Sequence, residues 1–443
     1  TSASGGGTSA SGGGASASGG GSSASGGGAS SSGGGASASG GGTASSCLTF
    51  DAGVGLPTGT TRTLMPGTTL KSVLTASAAG DRVVVKGGSY PLETITSSFA
   101  GDVFVEAATG ETPIFHGLKL NAAAHLVFKG IHFDATVQSQ GAHDIVFDGV
   151  DLDVGTQATS GLELFNNNGP THDFRVIRSR IAGGERTIFM GGTFTVENGW
   201  NHHLEFVKNE FICGTHNCFQ LSGCRDTVIE DNDFHDPKGA GVLTAGATRI
   251  VIARNRMRGT KSVNVPAVQL ATPGKEWDNY AGVEHMTSTD ITVADNLITN
   301  WGSNGIELDA VNRVSIVGNT VVNSVGLNTW HRIPHDQANN VILTGNTNVK
   351  LWNNILPSIA LDGADPRPIF ESNNYVGTGG AGMNLVTGAA QYQDMVEYAP
   401  VSPGPAIDKA LVNAETPAFD RRGRPRGAKP DIGALEVEAA ACP

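Results

Sequence analysis

Beyond residue 46 the sequence predicts an all-β chain wound as a parallel solenoid of about ten or more coils. Three observations predict it. An eight-residue pattern recurs, in the order apolar, any, apolar, any, any, Asn, any, apolar. It is "LEFVKNEF" at 204, "TVIEDNDF" at 227, "IVIARNRM" at 250, "ITVADNLI" at 291, "VSIVGNTV" at 314 and "VKLWNNIL" at 349. A second short alternating segment lies between the copies: "SGLELF" at 160, "NCFQLS" at 217, "AGVLTA" at 240, "PAVQLA" at 266 and "NGIELD" at 304. Period-two alternation marks strands with one buried face, helical spacing is absent, and Gly and Asn punctuate the turns.

The Asn position is assigned to Asn209, Asn232, Asn255, Asn296, Asn319, Asn354 and Asn373, with steps of 23, 23, 41, 23, 35 and 19 residues. A repeated step of 23 with longer exceptions is one structural unit carrying insertions. A propeller would need units of ~40–50 residues, about twice that step. Stacked coils lie about 4.8 Å apart, so an inward amide can bond its neighbour in the next coil and the backbone freed at the turn. Looser copies are "LVFKGIHF" at 126, "IVFDGVDL" at 145, "FRVIRSRI" at 174 and "PIFESNNY" at 368.

Residues 1–46 are a different kind of chain. Six variants of "TSASGGG" contain Ser, Gly, Ala and Thr and no large apolar side chain, so they bury too little surface to offset the entropy of ordering. Domain boundaries follow as 1–46 non-globular stalk, 47–400 solenoid and 401–443 C-terminal capping segment. Ser/Thr-dense tracts are frequent O-glycosylation sites. The candidates are Thr1, Ser2, Ser4, Thr8, Ser9, Ser11, Ser16, Ser18, Ser22, Ser23, Ser25, Ser30, Ser31, Ser32, Ser37, Ser39 and Thr43. No Asn-x-Ser/Thr sequon occurs, so attached sugar is expected to be O-linked. The alternative is a plain flexible linker.

A formal net charge of −12 argues against general affinity for nucleic acid or anionic membrane. No run of apolar residues approaches the ~18 that a membrane span needs. The start at Thr1 without a signal pattern is taken as a processed, secreted or surface chain. Of the five cysteines, Cys213, Cys218 and Cys224 cluster, while Cys47 and Cys442 bracket the folded part. A local disulfide or buried thiols is preferred over a metal site with His216. Cys47 and Cys442 are open to an intrachain link or to bridges between subunits, and the odd count leaves one cysteine free or paired outside the chain.

Columns of charge flank the Asn position: Arg178, Lys208, Asp231, Arg254 and Asp295 before it, and Asp151, Arg180, Glu210, Asp233 and Arg256 after it. These are expected to form a solvated face with weak cross-strand pairs. His143, His172 and His202 make a third column, expected as a ladder of neutral imidazoles without converging metal ligands. Insertions at 183–199, 260–289 and 326–340 are placed on one wall of a groove. There, Trp277, Trp330, His331 and His335 are carbohydrate-contact candidates. Lys238, Tyr280, His285 and Arg332 are candidates for the base and cation of a uronate lyase.

The entry segment "GDRVVVKGGSY" at 80, the repeat itself, and the ending "SPGPAID" with "DRRGRPRGAKPDIGALE" resemble bacterial secreted proteins of the pectate-lyase-like superfamily. The resemblance implies a right-handed parallel β-helix. It does not choose among lyases, hydrolases, epimerases, adhesins and tail spikes. Calcium is common in that fold, though no dense acidic loop here demands it, and no cofactor is expected. Two functions follow from these residues. One is a self-assembling extracellular filament or coat with a glycosylated stalk, its partners being copies of itself and glycans. The other is a secreted polysaccharide-active enzyme with the heptads as linker.

Overall fold

The computed structural model describes residues 53–156, 158–191, 197–272, 287–330, 346–360, 370–379 and 383–437. Among them, every named strand pairs in parallel, each with the strand one coil before or after it. Three ladders make three faces. Face A contains Ala124–Lys129, His143–Asp148, His172–Ile177, Asn201–Val207, Thr289–Ala294, Asn312–Val317 and Thr347–Trp352, with the later parts of Asn217–Glu230 and Ala240–Ala253. Face B is built of short strands such as Arg180–Ala182, Glu210–Ile212, Asp233–His235 and Arg256–Arg258. Face C holds Ser160–Phe165, Arg186–Gly191, the first parts of the two long strands, Val268–Ala271 and Ile306–Asp309. The solenoid expected from the repeat is thus the fold.

The eight-residue pattern spans two strands and a turn. In "LEFVKNEF" the strand Asn201–Val207 ends face A, Lys208 and Asn209 turn the corner, and Glu210–Ile212 opens face B. The residue before the Asn position is left-handed in coil after coil: Arg178, Lys208, Asp231, Arg254, Asp295 and Asn353 have φ between +50° and +58°. That conformation costs a non-glycine residue about 1–2 kcal/mol, so the corner needs compensation.

The Asn side chains supply it. Asn232 Oδ1 accepts from both the backbone N–H and the side-chain amide of Asn209 (2.9 and 3.0 Å). Asn255, Asn296, Asn319 and Asn354 repeat the arrangement coil by coil. Each amide also donates to a face A carbonyl of the preceding coil, as Asn255 does to Ile229 O (2.8 Å). One expectation is corrected. The last rung is Asn374, whose Oδ1 accepts from Asn354 N–H and amide (both 3.0 Å), and not Asn373. Asn373 is the left-handed residue at φ +51° and donates to Lys409 O. In the last coil Trp352 pairs with Ser372, which places Asn374, one residue after the Asn position of the eight-residue match, opposite Asn354. Ser179 takes the rung before Asn209, its backbone N–H donating to Asn209 Oδ1.

Inward positions stack like with like. On face A, Ile229, Ile252, Val293, Ile316 and Leu351 follow one another in register, and all are fully buried. Aromatic rings fill the earlier coils, with Phe128–Phe147 and Phe147–Phe174 centroids 5.2 and 5.3 Å apart.

A helix absent from the sequence-based expectation covers the first coils. Thr69 caps Leu70–Thr75, which buries Leu70 and Leu74, and the Leu70 N–H donates to the buried carboxylate of Glu93 (2.8 Å). The C-terminal segment packs on the flank of the later coils. Arg426 pairs with Asp295 (2.7 Å) and Glu436 (2.6 Å), and Ile432 and Ala406 pack with Ile355 and Tyr375. Burial pushes the Asp295 carboxyl up to about 7 against the pull of Arg426.

Candidate functional site

Face C is where outward positions behave unlike a solvated surface. Alternate residues point inward and are fully buried: Leu162 and Leu164, Ile188 and Met190, Phe219 and Leu221, Val268 and Leu270, Ile306 and Leu308. The residues between them face out. Glu163, Phe189, Gln220, Leu243, Gln269 and Glu307 form one column in register. Yet Gln220 is 1% exposed, Leu243 5% and Glu307 8%. Ser222, Ala245, Ala271 and Asp309 form a neighbouring outward row, all buried.

Two polar groups mark the two ends of this floor. At one end Arg186 donates through Nε to Gln220 Oε1 (2.6 Å) and lies over the Phe189 ring, 5.0 Å from its centroid. Asn217 donates its amide to the same Gln220 oxygen (3.4 Å). The Gln220 Nε2 donor and the Ser222 hydroxyl have no hydrogen-bond partner among the described residues although both are buried. At the other end Glu307 accepts from Gln269 Nε2 (3.0 Å) and Asn304 Nδ2 (2.8 Å), one on each carboxylate oxygen. Those bonds orient the carboxylate as an acceptor and a negative charge. Between the two ends Trp200 packs on Ala240, Leu243, Ala245 and Ala271, an apolar step in the floor.

Part of the first expected insertion proves to be face C itself. Within 183–199, Arg186–Gly191 is a strand of the ladder, and within 260–289 so is Val268–Ala271. The remaining stretches begin after Gly191, Thr272 and Trp330, so all three follow a face C strand at the same corner of the coil. Trp277, Tyr280, His285, His331, Arg332 and His335 lie outside the described residues. Trp330 ends the strand Leu327–Trp330, paired with Asp309, but its side chain is not among those described. Lys238 is exposed on the turn between faces B and C. Cys47, Cys442 and every O-glycosylation candidate from Thr1 to Thr43 also lie outside the described residues.

The polar floor is not among the residues expected from the sequence, which lie in the long insertions. Its signal was present in the short segments: the fourth residue of "SGLELF", "NCFQLS", "PAVQLA" and "NGIELD" is Glu, Gln, Gln and Glu.

The other clusters resolve differently. His143, His172 and His202 do stack, with centroids 4.8 and 4.9 Å apart and rings within 7° of parallel. Asp144 and Asp173 hold the Nδ1 atoms of His143 and His172 (2.8 and 2.7 Å). The bond from His172 holds the Asp173 carboxyl below the usual range. Burial, with Arg225 nearby, pushes the His202 imidazole down to about 4. Cys213 and Cys218 form a disulfide across the turn that carries His216 and Asn217. Cys224 is a free, buried thiol that burial pushes up to about 12. Among the described residues no group of three His, Cys, Asp or Glu side chains could hold a metal ion. Nor is any helix among them long and apolar enough to cross a membrane.

Comparison with known proteins agrees with this architecture. Residues 194–354 match the right handed beta helix region family. No curated protein matches the chain significantly by sequence. Similar solved structures include the pectate lyase Pel9A, at 14% identity over 86% of this chain and 97% of that one, TM-score 0.45. An alginate lyase from Paenibacillus is 11% identical over 61% of this chain and 98% of that one, TM-score 0.43. The Streptococcus pneumoniae surface adhesin PfbA is 12% identical over 72% and 87%, TM-score 0.46. The chain is a right-handed parallel β-helix protein by fold, with five of the six strict copies of its repeat inside the matched family segment.

Proposed function

We propose that this is an extracellular or surface β-helix protein that binds an extended polysaccharide along face C. One observation carries the proposal. Outward side chains that a bare solenoid would present to water are instead buried polar groups, and two of them, Gln220 Nε2 and Ser222 Oγ, have no partner among the described residues. A buried donor left unpaired costs about 1–3 kcal/mol, and native structures retain few such groups without a reason such as an unfilled ligand contact. Hydroxyls and carboxylates of a sugar chain supply the missing acceptors and donors. A rigid ladder with ~4.8 Å spacing presents its floor as a line rather than a cup, which suits a polymer. Arg186 and Gln220 favour an anionic or acceptor-rich unit, while Glu307 favours hydroxyl donors.

Catalysis on the bound chain is the finer form of this proposal. Tyr280, His285 and Arg332 belong to segments that follow face C strands, and they have the chemistry of a base and a carboxylate-binding cation. The filament with a glycosylated stalk rests on the heptads and on Cys47 and Cys442. The helix Leu70–Thr75 weighs against simple head-to-tail stacking, because it covers the strand edges that such stacking would use.

The test is a panel of uronate and neutral polymers on the full chain. Affinity electrophoresis reads binding, and the ultraviolet absorbance of unsaturated products reads lyase activity. Retardation by at least one polymer that Gln220→Leu weakens about tenfold supports the face C site. No retardation by any polymer, with fibres visible by electron microscopy, replaces it with the filament.

A further inference from the structure

Three consecutive coils line up a serine, a histidine and an aspartate where the face B ladder begins. The first strands of that ladder are Gly88–Tyr90, Pro113–Phe115 and His132–Phe133, and among the described residues no strand precedes Gly88–Tyr90 in it. Alternation turns Ser89 outward beside the buried Tyr90, and His116 and Asp134 outward after the buried Phe115 and Phe133. His116 comes from the middle coil and reaches both neighbours. Its Nε2 lies 2.5 Å from the Ser89 hydroxyl, and its Nδ1 lies 2.9 Å from both carboxylate oxygens of Asp134. All three residues are exposed.

The order of these bonds fixes where the protons sit. Asp134 accepts, so Nδ1 carries the imidazole hydrogen and Nε2 is left to accept from the Ser89 O–H. A serine hydroxyl bonded to an imidazole whose far nitrogen is held by a carboxylate is the arrangement that makes serine a nucleophile on unrelated folds. Two neighbouring features serve such a reaction. The His116 N–H donates to Tyr90 O (2.9 Å), so Tyr90 turns toward the next coil and Ser89, one residue earlier, turns its own N–H to the open edge of the ladder. That N–H is a donor for the oxygen of a tetrahedral intermediate. Beside the line lies a small apolar lip. Leu92 is half-exposed and, with Ala135, flanks Gly117, where an added Cβ would stand 3.0 Å from Leu92 Cδ1 and 3.7 Å from Ala135 Cβ. The lip is open and shallow, which suits a short acyl group rather than a long one.

We propose that Ser89, His116 and Asp134 form an acyl-ester hydrolase site, an activity separate from polymer binding. Ser89 Oγ attacks the ester carbonyl carbon while His116 Nε2 takes its proton. The bond from that carbon to the alcohol oxygen breaks, and His116 returns the proton to the departing alcohol. Water, deprotonated by the same Nε2, then attacks the acyl-serine, the short carboxylic acid leaves, and Ser89 regains its hydrogen. Asp134 touches no reacting atom and is a positioning residue. The site stands at the corner that leads into the first strands of face C, Glu93–Ile95, Leu118–Asn121 and Val137–Gln140. The ester is therefore assigned to an O-acyl substituent of a polysaccharide lying along that face. This carrier rests on the polymer reading of face C, whereas hydrolysis itself does not.

The full chain is assayed with p-nitrophenyl acetate, which needs no polymer site, and with a fluorophosphonate, which labels nucleophilic serines. Wild type is expected to hydrolyse the ester roughly a hundredfold faster than Ser89→Ala or His116→Ala, and the label should map to Ser89. Asp134→Asn should lower kcat roughly tenfold and leave KM unchanged, a split that loss of a merely structural contact would not produce. Labelling of the wild type depends on no variant folding. Equal rates in wild type and Ser89→Ala, or no label on Ser89, overturn the proposal. Acetate release from an O-acetylated polysaccharide by wild type, absent in Ser89→Ala, supports the carrier. Hydrolysis of the small ester with no release from any such polymer overturns that carrier.

Discussion

Asn255→Ala removes the middle rung of the asparagine ladder. Asn255 Oδ1 accepts from the Asn232 N–H (3.0 Å) and the Asn232 amide (2.9 Å). Its own amide donates to Ile229 O (2.8 Å) and Asn296 Oδ1 (3.0 Å). All of these groups are buried. The truncation therefore loses four hydrogen bonds and strands the Asn232 N–H away from water. At about 1 kcal/mol per net bond, the loss is about 4 kcal/mol. With an unfolding entropy of about 2.1 cal/mol/K per residue over a body of this size, the melting temperature drops by roughly 5 °C. Two comparators use the same assay, thermal unfolding followed by circular dichroism. Asn374→Ala removes a rung at the end of the stack and should cost less, because terminal coils fray. Asn373→Gly loses three peripheral bonds, to Lys409 O and from Ser372 and Asn384, but suits the left-handed backbone at φ +51°, so its shift should stay well below that of Asn255→Ala. If Asn373→Gly costs as much as Asn255→Ala, the ladder does not run through Asn374 and the account of the corner is wrong.

Four further outcomes follow from the structure. His202 sits near 4 in the folded chain against 6.5 unfolded. Its contribution is present above pH 6.5 and is lost as the pH falls toward 4, by about 1 kcal/mol once solvent screening is allowed for; a pH series of denaturant midpoints on wild type and His202→Asn checks the window, and parallel curves would refute it. Gln220→Leu removes the unpaired Nε2 but also the Oε1 that Arg186 and Asn217 bond, so it should cost about 1–3 kcal/mol of stability while weakening polymer binding about tenfold; denaturation and affinity electrophoresis measure the two separately. Arg426→Met leaves Asp295 and Glu436 buried without their shared partner and should cost about 3–5 kcal/mol, only part of it restored by adding Asp295→Asn. Cys224 should resist alkylation in the native chain and react fully after unfolding, as read by intact mass.

The solenoid was legible because its interactions are periodic. Each coil repeats the same strand, corner and strand, so Asn209, Asn232 and Asn255 recur at the very steps that separate their hydrogen-bonded partners, 23 residues each. Alternation in "NGIELD" likewise shows which residues face in. The histidine column was legible for the same reason: equal offsets from equal strands put His143, His172 and His202 in register.

Only the tertiary structure decided what the outward side chains meet. Glu307 and Glu163 have the same place in their segments, and nothing local says that one is held by Gln269 and Asn304 while the other pairs with Gln138. Trp200 lies on alanines contributed by two later coils, and Val54 packs on Ile177 and Val207, more than a hundred residues away in sequence. The last rung at Asn374 was hidden because Asn373 and Asn374 are adjacent and chemically alike, and register with Trp352 chooses between them. A stacking period is written along the chain, whereas burial of an outward face depends on which distant segment comes to rest there.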